Sequence, residues 1–428
     1  MIRSIFILTF LSIISLAKGQ ESSVEKDLTF LSSDEMKGRE NGSDELLKAA
    51  NYIAERYKEI GLTSPDFCDN YLQSINLIKV HVKSKNLVLN SYSIPEDNFI
   101  LLSQSEGIFK NDTTGLTIFK VGENEDIMHT FSQLVNYPRS YIVFVHPIHE
   151  KRFERLKRYF RSDKLQVKRD DDYFSLWVKT SESELESIQL NVLNDIESTK
   201  IYNVIGELAS TKSDDRKWIY SAHYDHIGIS RAIEGDSIAN GANDDASGVA
   251  AVIDLASKFS NGPGLDKSIY FVAFAGEELG LYGSRYMASH VDLTQIEAMI
   301  NIEMIGEANN DLGPQSAYIN GYELSYLPGD LAKNVNMDDF FFFPDPYPNL
   351  NLFKRSDNAP FASQGIPAHS ISSYNEDDER YHTVNDEIEY LDIEHIQEVI
   401  DAIYKASIPL LKSSYSPGMI DGKTKNDR

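Results

Sequence analysis

The chain has a single cysteine, Cys68, in 428 residues. No internal disulfide can form, and a cysteine-based zinc knuckle or iron–sulfur site is excluded. Any metal must be held by histidine and carboxylate. Cations are also scarce: 41 Lys and Arg stand against 66 Asp and Glu, a formal net charge of −25. That balance argues against nucleic-acid binding, because phosphate-binding surfaces need Lys and Arg. It argues equally against electrostatic docking on an anionic membrane. Beyond residue 19 no apolar run is long enough to cross a bilayer, so no stable membrane insertion is expected. Internal repeats are absent. Apolar residues make up 41% and aromatics 11%, too much for a disordered chain. The length fits two domains or one elaborated domain, with a sizeable core.

Residues 1–19 read as a secretory signal peptide: Arg3 at the start, an apolar run Ile5–Ala17, and small residues in Ala17-Lys18-Gly19. An exported protein is therefore expected, periplasmic or extracellular. Residues 44–60 have the apolar spacing of an amphipathic helix stopped by Gly61. Residues 75–195 alternate short β-like runs (Asn76–Val82, Phe99–Leu102, Tyr141–Val145, Tyr173–Val178) with polar turns. They carry no chemical motif and read as a β-rich insert. Within them Lys151–Arg169 holds nine Lys and Arg. Phe153, Leu156 and Phe160 have helical spacing, so a basic amphipathic helix packed on the insert is the simplest reading.

From about residue 200 strands and helices alternate. The strand candidates are Asn203–Leu208, Trp218–Ala222, Ile269–Ala275, Met299–Met304 and Ala317–Asn320. The helix candidates are Ala246–Phe259, Leu279–Ser289, Tyr322–Val335 and Ile393–Leu411. This is an α/β pattern: a three-layer α/β/α sandwich with a mixed, mostly parallel central sheet. The domain reading is 20–74 and 196–412 for this body, 75–195 for the insert, and 413–428 for a fraying tail.

The chemistry sits at predicted strand ends, where open α/β sheets place their ligands. His223-Tyr-Asp225-His226 follows one strand. Asn240-Gly-Ala-Asn-Asp244-Asp245 leads straight into a helix, whose N-terminus favours a carboxylate. Gly276-Glu277-Glu278 follows seven apolar residues, and Glu303 interrupts another apolar run. Paired acids at a buried strand end repel each other unless a cation or proton compensates. His382 lies in Tyr381-His382-Thr-Val-Asn-Asp386. Two histidines and three acids at successive strand ends make a nitrogen–oxygen ligand set suited to zinc. A further Glu beside a ligand Glu suits metal-assisted hydrolysis, as a free general base.

These residues resemble those of the clan MH zinc peptidases, the co-catalytic two-zinc aminopeptidase family. Its relatives include glutamate carboxypeptidase, glutaminyl cyclases and the transferrin receptor. The resemblance covers residues 200–411 and the stretch Phe30–Gly42, and the insert stands where many relatives carry a protease-associated or lid domain. It implies two Zn2+ ions: His223, Asp244 and Glu303 would hold one, and Asp244, Glu278 and His382 the other. Glu277 would be the general base toward a metal-bridging water, Asp225 would hydrogen-bond His223, and Tyr381 would support the oxyanion. Asp245 stands where relatives have a strained Asp–Asp peptide that aims the bridging carboxylate. Ser356-Asp357-Asn358-Ala359-Pro360-Phe361 resembles a pocket motif that often has His at position 358. Arg355, Asp357, Asn358 and Phe361 are accordingly expected to bind substrate.

The implied function is removal of N-terminal residues from peptides. A carboxypeptidase or glutaminyl cyclase on the same scaffold is the alternative, and Arg355 is the nearest cation for a substrate carboxylate. An inactive receptor-like protein would instead show eroded ligands, and here all are present. His226 is expected to make only a loop hydrogen bond. Four consecutive aromatics, Phe340–Phe343, cannot all face one core. Strand packing and the lining of an apolar side-chain pocket are both open for them. Nothing in the sequence indicates the oligomeric state.

Overall fold

In the computed structural model, residues 22–135, 137–160, 164–169, 172–182, 184–212, 216–335 and 340–419 are described. The expected signal segment and the last residues of the tail lie outside these. The N-terminal part supplies helices α1 (Ser23–Leu31) and α2 (Asp44–Ile60). The ends of α2 follow from its sequence. Ser43 caps it by accepting the Leu46 N–H at 3.1 Å, and Gly61 leaves it at φ 89°.

The central sheet is built from β1 (Leu72–Leu89), β2 (Ile188–Leu208), β3 (Lys217–His223) and β4 (Ser268–Phe274). It continues with β5 (Ile296–Glu303), β6 (Ser316–Ile319), β7 (Phe341–Pro344) and β8 (Ala368–Ser372). The spatial order is β7-β6-β8-β5-β3-β4-β2-β1. β3 pairs in parallel with both β4 and β5, and β5 with β8, while β2 runs antiparallel to β4. β3, β4 and β5 are buried almost throughout, which is why β4 reads as an apolar run and β3 and β5 as largely apolar ones.

Helices cover both faces of this sheet, the three-layer α/β/α arrangement expected. On one face α1, α2, α3 (Ser247–Ser260) and α5 (Ile393–Leu411) share a core with Trp218, Tyr220 and Phe271. On the other, α4 (Tyr282–His290) packs through Met287 near Phe274 and Phe361. α3 is apolar on nearly all sides because sheet and helices surround it. No helix among the described residues is long and apolar enough to cross a membrane.

The insert hangs from a ribbon. β1 and β2 pair antiparallel along their whole lengths, from Leu72↔Val204 to Leu89↔Ile188, with one irregularity between Val82 and Ser84. Their near halves belong to the body; their far halves pack against the insert's own four-stranded sheet. That sheet contains three parallel strands, Thr117–Val121, Tyr141–Val145 and Ser175–Lys179, plus antiparallel Phe99–Leu102. Helices Ile127–Leu134 and Glu150–Tyr159 make the crossovers. Beside the expected basic helix, the β-rich insert thus gains one more, Ile127–Leu134, because parallel neighbours need crossover connections. The basic helix buries Phe153 and Leu156 and turns its charges outward, with Arg152 at 3.3 Å from Asp126 and Lys157 at 2.5 Å from Asp97.

Candidate metal centre and active site

Every strand end named by the sequence converges on one point. His223 is the last residue of β3, Glu277 and Glu278 follow β4, and Glu303 ends β5. Asp244 lies in the loop before α3, and His382 in the loop between β8 and α5. Asp244 is shared: its Oδ1 lies 3.0 Å from His223 Nε2, its Oδ2 3.2 Å from His382 Nε2. Glu303 Oε1 is 3.3 Å from His223 Nε2, and Glu278 Oε1 is 3.0 Å from His382 Nε2. Two ligand groups therefore meet at one carboxylate.

The supports of this cluster come from far along the chain. Asp386 accepts the backbone N–H groups of Asn243 at 2.7 Å and Asp244 at 3.0 Å, holding the shared acid from behind. The Asp244–Asp245 peptide is cis. Asp245 accepts N–H groups of Gly248 at 3.1 Å and Met304 at 3.0 Å, tying this loop to the end of β5. Gly241 turns the loop at φ 59°, and a Cβ there would collide with the Asp244 carbonyl and the His226 ring. Arg39 is fully buried and donates to the carbonyls of Leu31, Tyr224, Asn240 and Gly241 at 2.5–2.9 Å. Burial pushes its guanidinium down to about 10, against the pull of Asp386, Asp225, Asp244 and Asp245.

Asp225 departs from expectation. His223 Nδ1 lies 3.0 Å from the Asp225 carbonyl oxygen, while the carboxylate is 3.8 Å away. That carboxylate accepts Asn41 Nδ2 at 2.7 Å and the N–H groups of Glu277 and Glu278 at 3.2 Å each. It orients the Glu-Glu loop rather than the imidazole, because the sharp turn after His223 brings the nearer carbonyl under the ring.

His226 is more deeply engaged than a loop hydrogen bond. It is buried, with Nδ1 3.1 Å from Glu278 Oε1 and 3.7 Å from Asp244 Oδ2. His226, Asp244 and Glu278 form the second of the two compact groupings for an ion, with His226 where His382 was expected. Its spacing from His223 was the only available signal, and a one-residue turn difference would have pointed it away.

Glu277 sits beside Glu278, and its carboxyl has no hydrogen bond or ion pair among the described residues. Burial pushes its carboxyl well above the usual carboxylate range; His223 opposes this, and Glu303, Asp357 and Glu278 add to it. Tyr381 stacks on His382 with ring centroids 4.0 Å apart, and burial raises its hydroxyl. Glu303 is steadied at its second oxygen by Ser356 Oγ at 2.5 Å and Asn301 Nδ2 at 3.3 Å.

Of the four expected substrate contacts, only Arg355 lines the pocket that opens beside Glu277 and Tyr381. Asn358 is fully buried and bonded to the Phe353 carbonyl at 3.0 Å and to Ser370 Oγ at 2.9 Å. Phe361 is fully buried against the second core. Asp357 is fully buried behind the pocket wall, its carboxyl pushed up to about 7 by burial. Their interior positions leave no surface for a substrate. His369 is a satisfied core histidine, 2.9 Å from the Asn320 carbonyl and 2.6 Å from Ser325 Oγ.

The donor set fits a borderline-soft divalent cation. Imidazole nitrogens and carboxylate oxygens lie within 4.8 Å of one another in the groupings His223–Asp244–Glu303 and His226–Asp244–Glu278. Asp225, Asp244, Asp245, Glu277, Glu278 and Glu303 crowd together with too few cationic side chains to neutralise them, so bound positive charge would relieve their repulsion.

Such a cluster at the carboxyl edge of a mixed α/β sheet defines a class: a protein that holds metal by imidazole and carboxylate alone. Residues 203–407, just under half of the chain, match the model of peptidase family M28. A probable zinc metalloprotease of Pyricularia oryzae is 42% identical over 113 residues, 26% of this chain and 21% of the relative. Aminopeptidase YwaD of Bacillus subtilis is 29% identical over 220 residues, 48% of this chain and 43% of the relative. The chain thus matches less than half the length of these curated relatives. Among solved structures, the aminopeptidase from Aneurinibacillus sp. strain AM-1 has the same fold, with a TM-score of 0.54 at 18% identity. That likeness covers 95% of this chain and 96% of the other. The zinc aminopeptidase BSAP from Bacillus subtilis has a TM-score of 0.53 at 17% identity, over 93% and 97% of the two chains.

Proposed function

We propose that this chain is an exported zinc-dependent exopeptidase that removes N-terminal residues from peptides, using two zinc ions. The observation that carries this reading is unequal access to one centre. On one side of the cluster lies a pocket of about 80 Å3, lined by Glu277, Glu303 and Tyr381. On the other, a groove of about 960 Å3 begins at His226 and Glu278 and runs between the body and the insert. Room for a single side chain on one side and for an extended chain on the other suits trimming from an end.

His223, Asp244 and Glu303 would hold one zinc, and Asp244, Glu278 and His382 the other. Zinc there supplies Lewis acidity toward the scissile carbonyl and makes water more acidic. Glu277 takes the proton from the attacking water and returns it to the leaving amine. Its raised proton affinity suits both transfers. Asp225 keeps the Glu277–Glu278 backbone in place for that exchange. The Tyr381 hydroxyl donates to the oxygen that becomes negative in the tetrahedral state.

A carboxypeptidase is the second reading, favoured by one observation: Arg355 lines the small pocket. A panel of free-amine aminoacyl-p-nitroanilides beside N-blocked peptides, with and without chelator and added zinc, separates the two. Turnover of free-amine substrates that vanishes with chelator and returns with zinc supports the aminopeptidase. Turnover of N-blocked peptides alone sinks it. Metal analysis of the active protein gives the number of ions. N-terminal sequencing of the protein recovered from outside the cell tests export, with cleavage before Gln20 expected.

A further inference from the structure

The small pocket mixes polar and apolar walls, where an apolar one was open from the sequence. The four aromatics Phe340–Phe343 contribute nothing to its lining. Phe341–Pro344 form the outermost strand of the sheet, with Phe340 and Phe342 buried in the core and Phe341 on the surface. The pocket is walled instead by Tyr318, Asn320, Arg355, Ser372 and Tyr374, together with Met304 and the centre's own acids.

Two of these residues are unusual. Asn320 is only 3% exposed, and its Oδ1 has no hydrogen-bond partner among the described residues. A buried polar atom without a partner costs roughly 1–3 kcal/mol, so a ligand that satisfies this amide is favoured. Rotation about its last bond presents either the oxygen or the NH2 group. Arg355 has no ion pair among the described residues, although acids outnumber bases 66 to 41. Arg231 and Arg285 of the body likewise have no carboxylate partner among the described residues, whereas three others are paired. Arg56 is held by Asp27 at 2.7 Å, Arg216 by Glu297 at 2.7 Å and Arg380 by Asp378 at 2.8 Å. In a chain this acidic, a guanidinium without a carboxylate is available for one.

The pocket therefore carries both signs of charge: Asp244, Glu277 and Glu303 share its lining with His382 and Arg355. An α-ammonium suits the acids. A carboxylate one side chain away suits the guanidinium, which binds carboxylates in a planar two-point fork.

We propose that this pocket selects an acidic N-terminal residue, glutamate or aspartate, with Arg355 as the specificity-determining partner of its side-chain carboxylate and Asn320 as a second donor. This rests on the aminopeptidase reading given above. The same guanidinium could meet a carboxylate from another source, the α-carboxylate of a C-terminal residue, so the test carries an arm for each.

The experiment compares zinc-loaded wild-type protein with Arg355→Gln and Arg355→Lys on glutamyl-, aspartyl-, glutaminyl-, leucyl- and lysyl-p-nitroanilide. Wild type should favour glutamyl over glutaminyl by about tenfold or more in kcat/KM, mostly through KM. Arg355→Gln should erase that ratio, and Arg355→Lys should restore part of it by charge alone. A second arm offers N-blocked peptides with free or amidated C-termini. Leucyl- or lysyl-anilide turned over fastest, or a glutamyl-to-glutaminyl ratio unmoved by Arg355→Gln, overturns the assignment while leaving the aminopeptidase intact. Cleavage of N-blocked peptides that requires the free α-carboxylate and Arg355 overturns it in favour of the other source. No turnover of any free-amine anilide defeats the aminopeptidase reading itself, and this one with it.

Discussion

The body and the insert use the same structural device to different ends. In the body, parallel strands β3, β4 and β5 lead to a buried His223 and to partly buried Glu277, Glu278 and Glu303. In the insert, parallel strands Thr117–Val121, Tyr141–Val145 and Ser175–Lys179 are also linked by helices, and acids again follow a strand end: Glu123, Glu125 and Asp126. There they face solvent. His146 meets Glu123 at 3.4 Å with 64% of the glutamate side chain exposed. Asp126 caps a helix through the Met128 N–H, and that bond holds its carboxyl below its ordinary value. Glu277 is pushed the opposite way by burial. Parallel topology alone therefore makes no site. Acids become chemical when several strand ends bury them together around imidazoles, so that each one's charge is the others' problem.

The largest expected effect tests that contrast directly. Glu277→Gln should lower kcat by about 10²–10⁴-fold while zinc content is retained. Glu123→Gln, its counterpart in the insert, should change kcat by less than about twofold. A comparable loss in both would break the comparison.

Next in size is the support under the body's site. Arg39→Leu strips donors from four buried carbonyls and should cost about 3–5 kcal/mol in urea unfolding. It should also weaken zinc retention in chelator competition, because the Asn240–Gly241 turn carries the shared acid. Full stability with normal zinc affinity would show that the loop holds itself.

Acidification should unsettle the body through His369. Burial lowers its imidazole to about 4. The unfolded chain then binds the extra proton at higher pH than the folded chain does. This contribution is complete above the unfolded value near 6.5 and fades as pH falls toward 4, by about 3 kcal/mol. His369→Gln should flatten that slope in unfolding curves between pH 6.5 and 4. An unchanged slope would place the acid sensitivity elsewhere.

The smallest effect sharpens the boundary. Ile142→Val, in the middle insert strand, should cost about 1 kcal/mol. Hydrogen exchange should register it at insert amides while body amides keep their protection. Equal loosening of both would mean that the β1–β2 ribbon couples them into one cooperative unit.

How much was legible in advance follows from the cost of burial. Ile269–Ala275 and Trp218–Ala222 announced themselves because doubly covered strands must be apolar. His223, Asp244, Glu277, Glu278 and Glu303 stood out for the same reason: polar groups beside such runs are expensive without a purpose. The inner strand β8 and the outer half of the β1–β2 ribbon were not legible, and the edge strand β7 was only one of two open readings. They are short, or alternate with polar residues, and their pairing depends on distant partners. Asn41 was equally silent, because its value lies in a bond to Asp225 across 184 residues. The same holds for Arg39, Asp386 and His226. Asn358 and Phe361 resembled a pocket motif, but the structure spends them on packing.

The sequence by itself determined the α/β architecture, the strand ends that matter and the kind of ligand they offer, since apolar periodicity and isolated buried acids are local signals. One cysteine and an excess of acid had already restricted any metal to histidine and carboxylate. Only the tertiary structure decided which histidines reach Asp244, what Asp225 holds, and that the pocket has Arg355, without an ion pair among the described residues, in its lining. Those outcomes turn on distances of an ångström or two between residues far apart in the chain, and no local pattern encodes them.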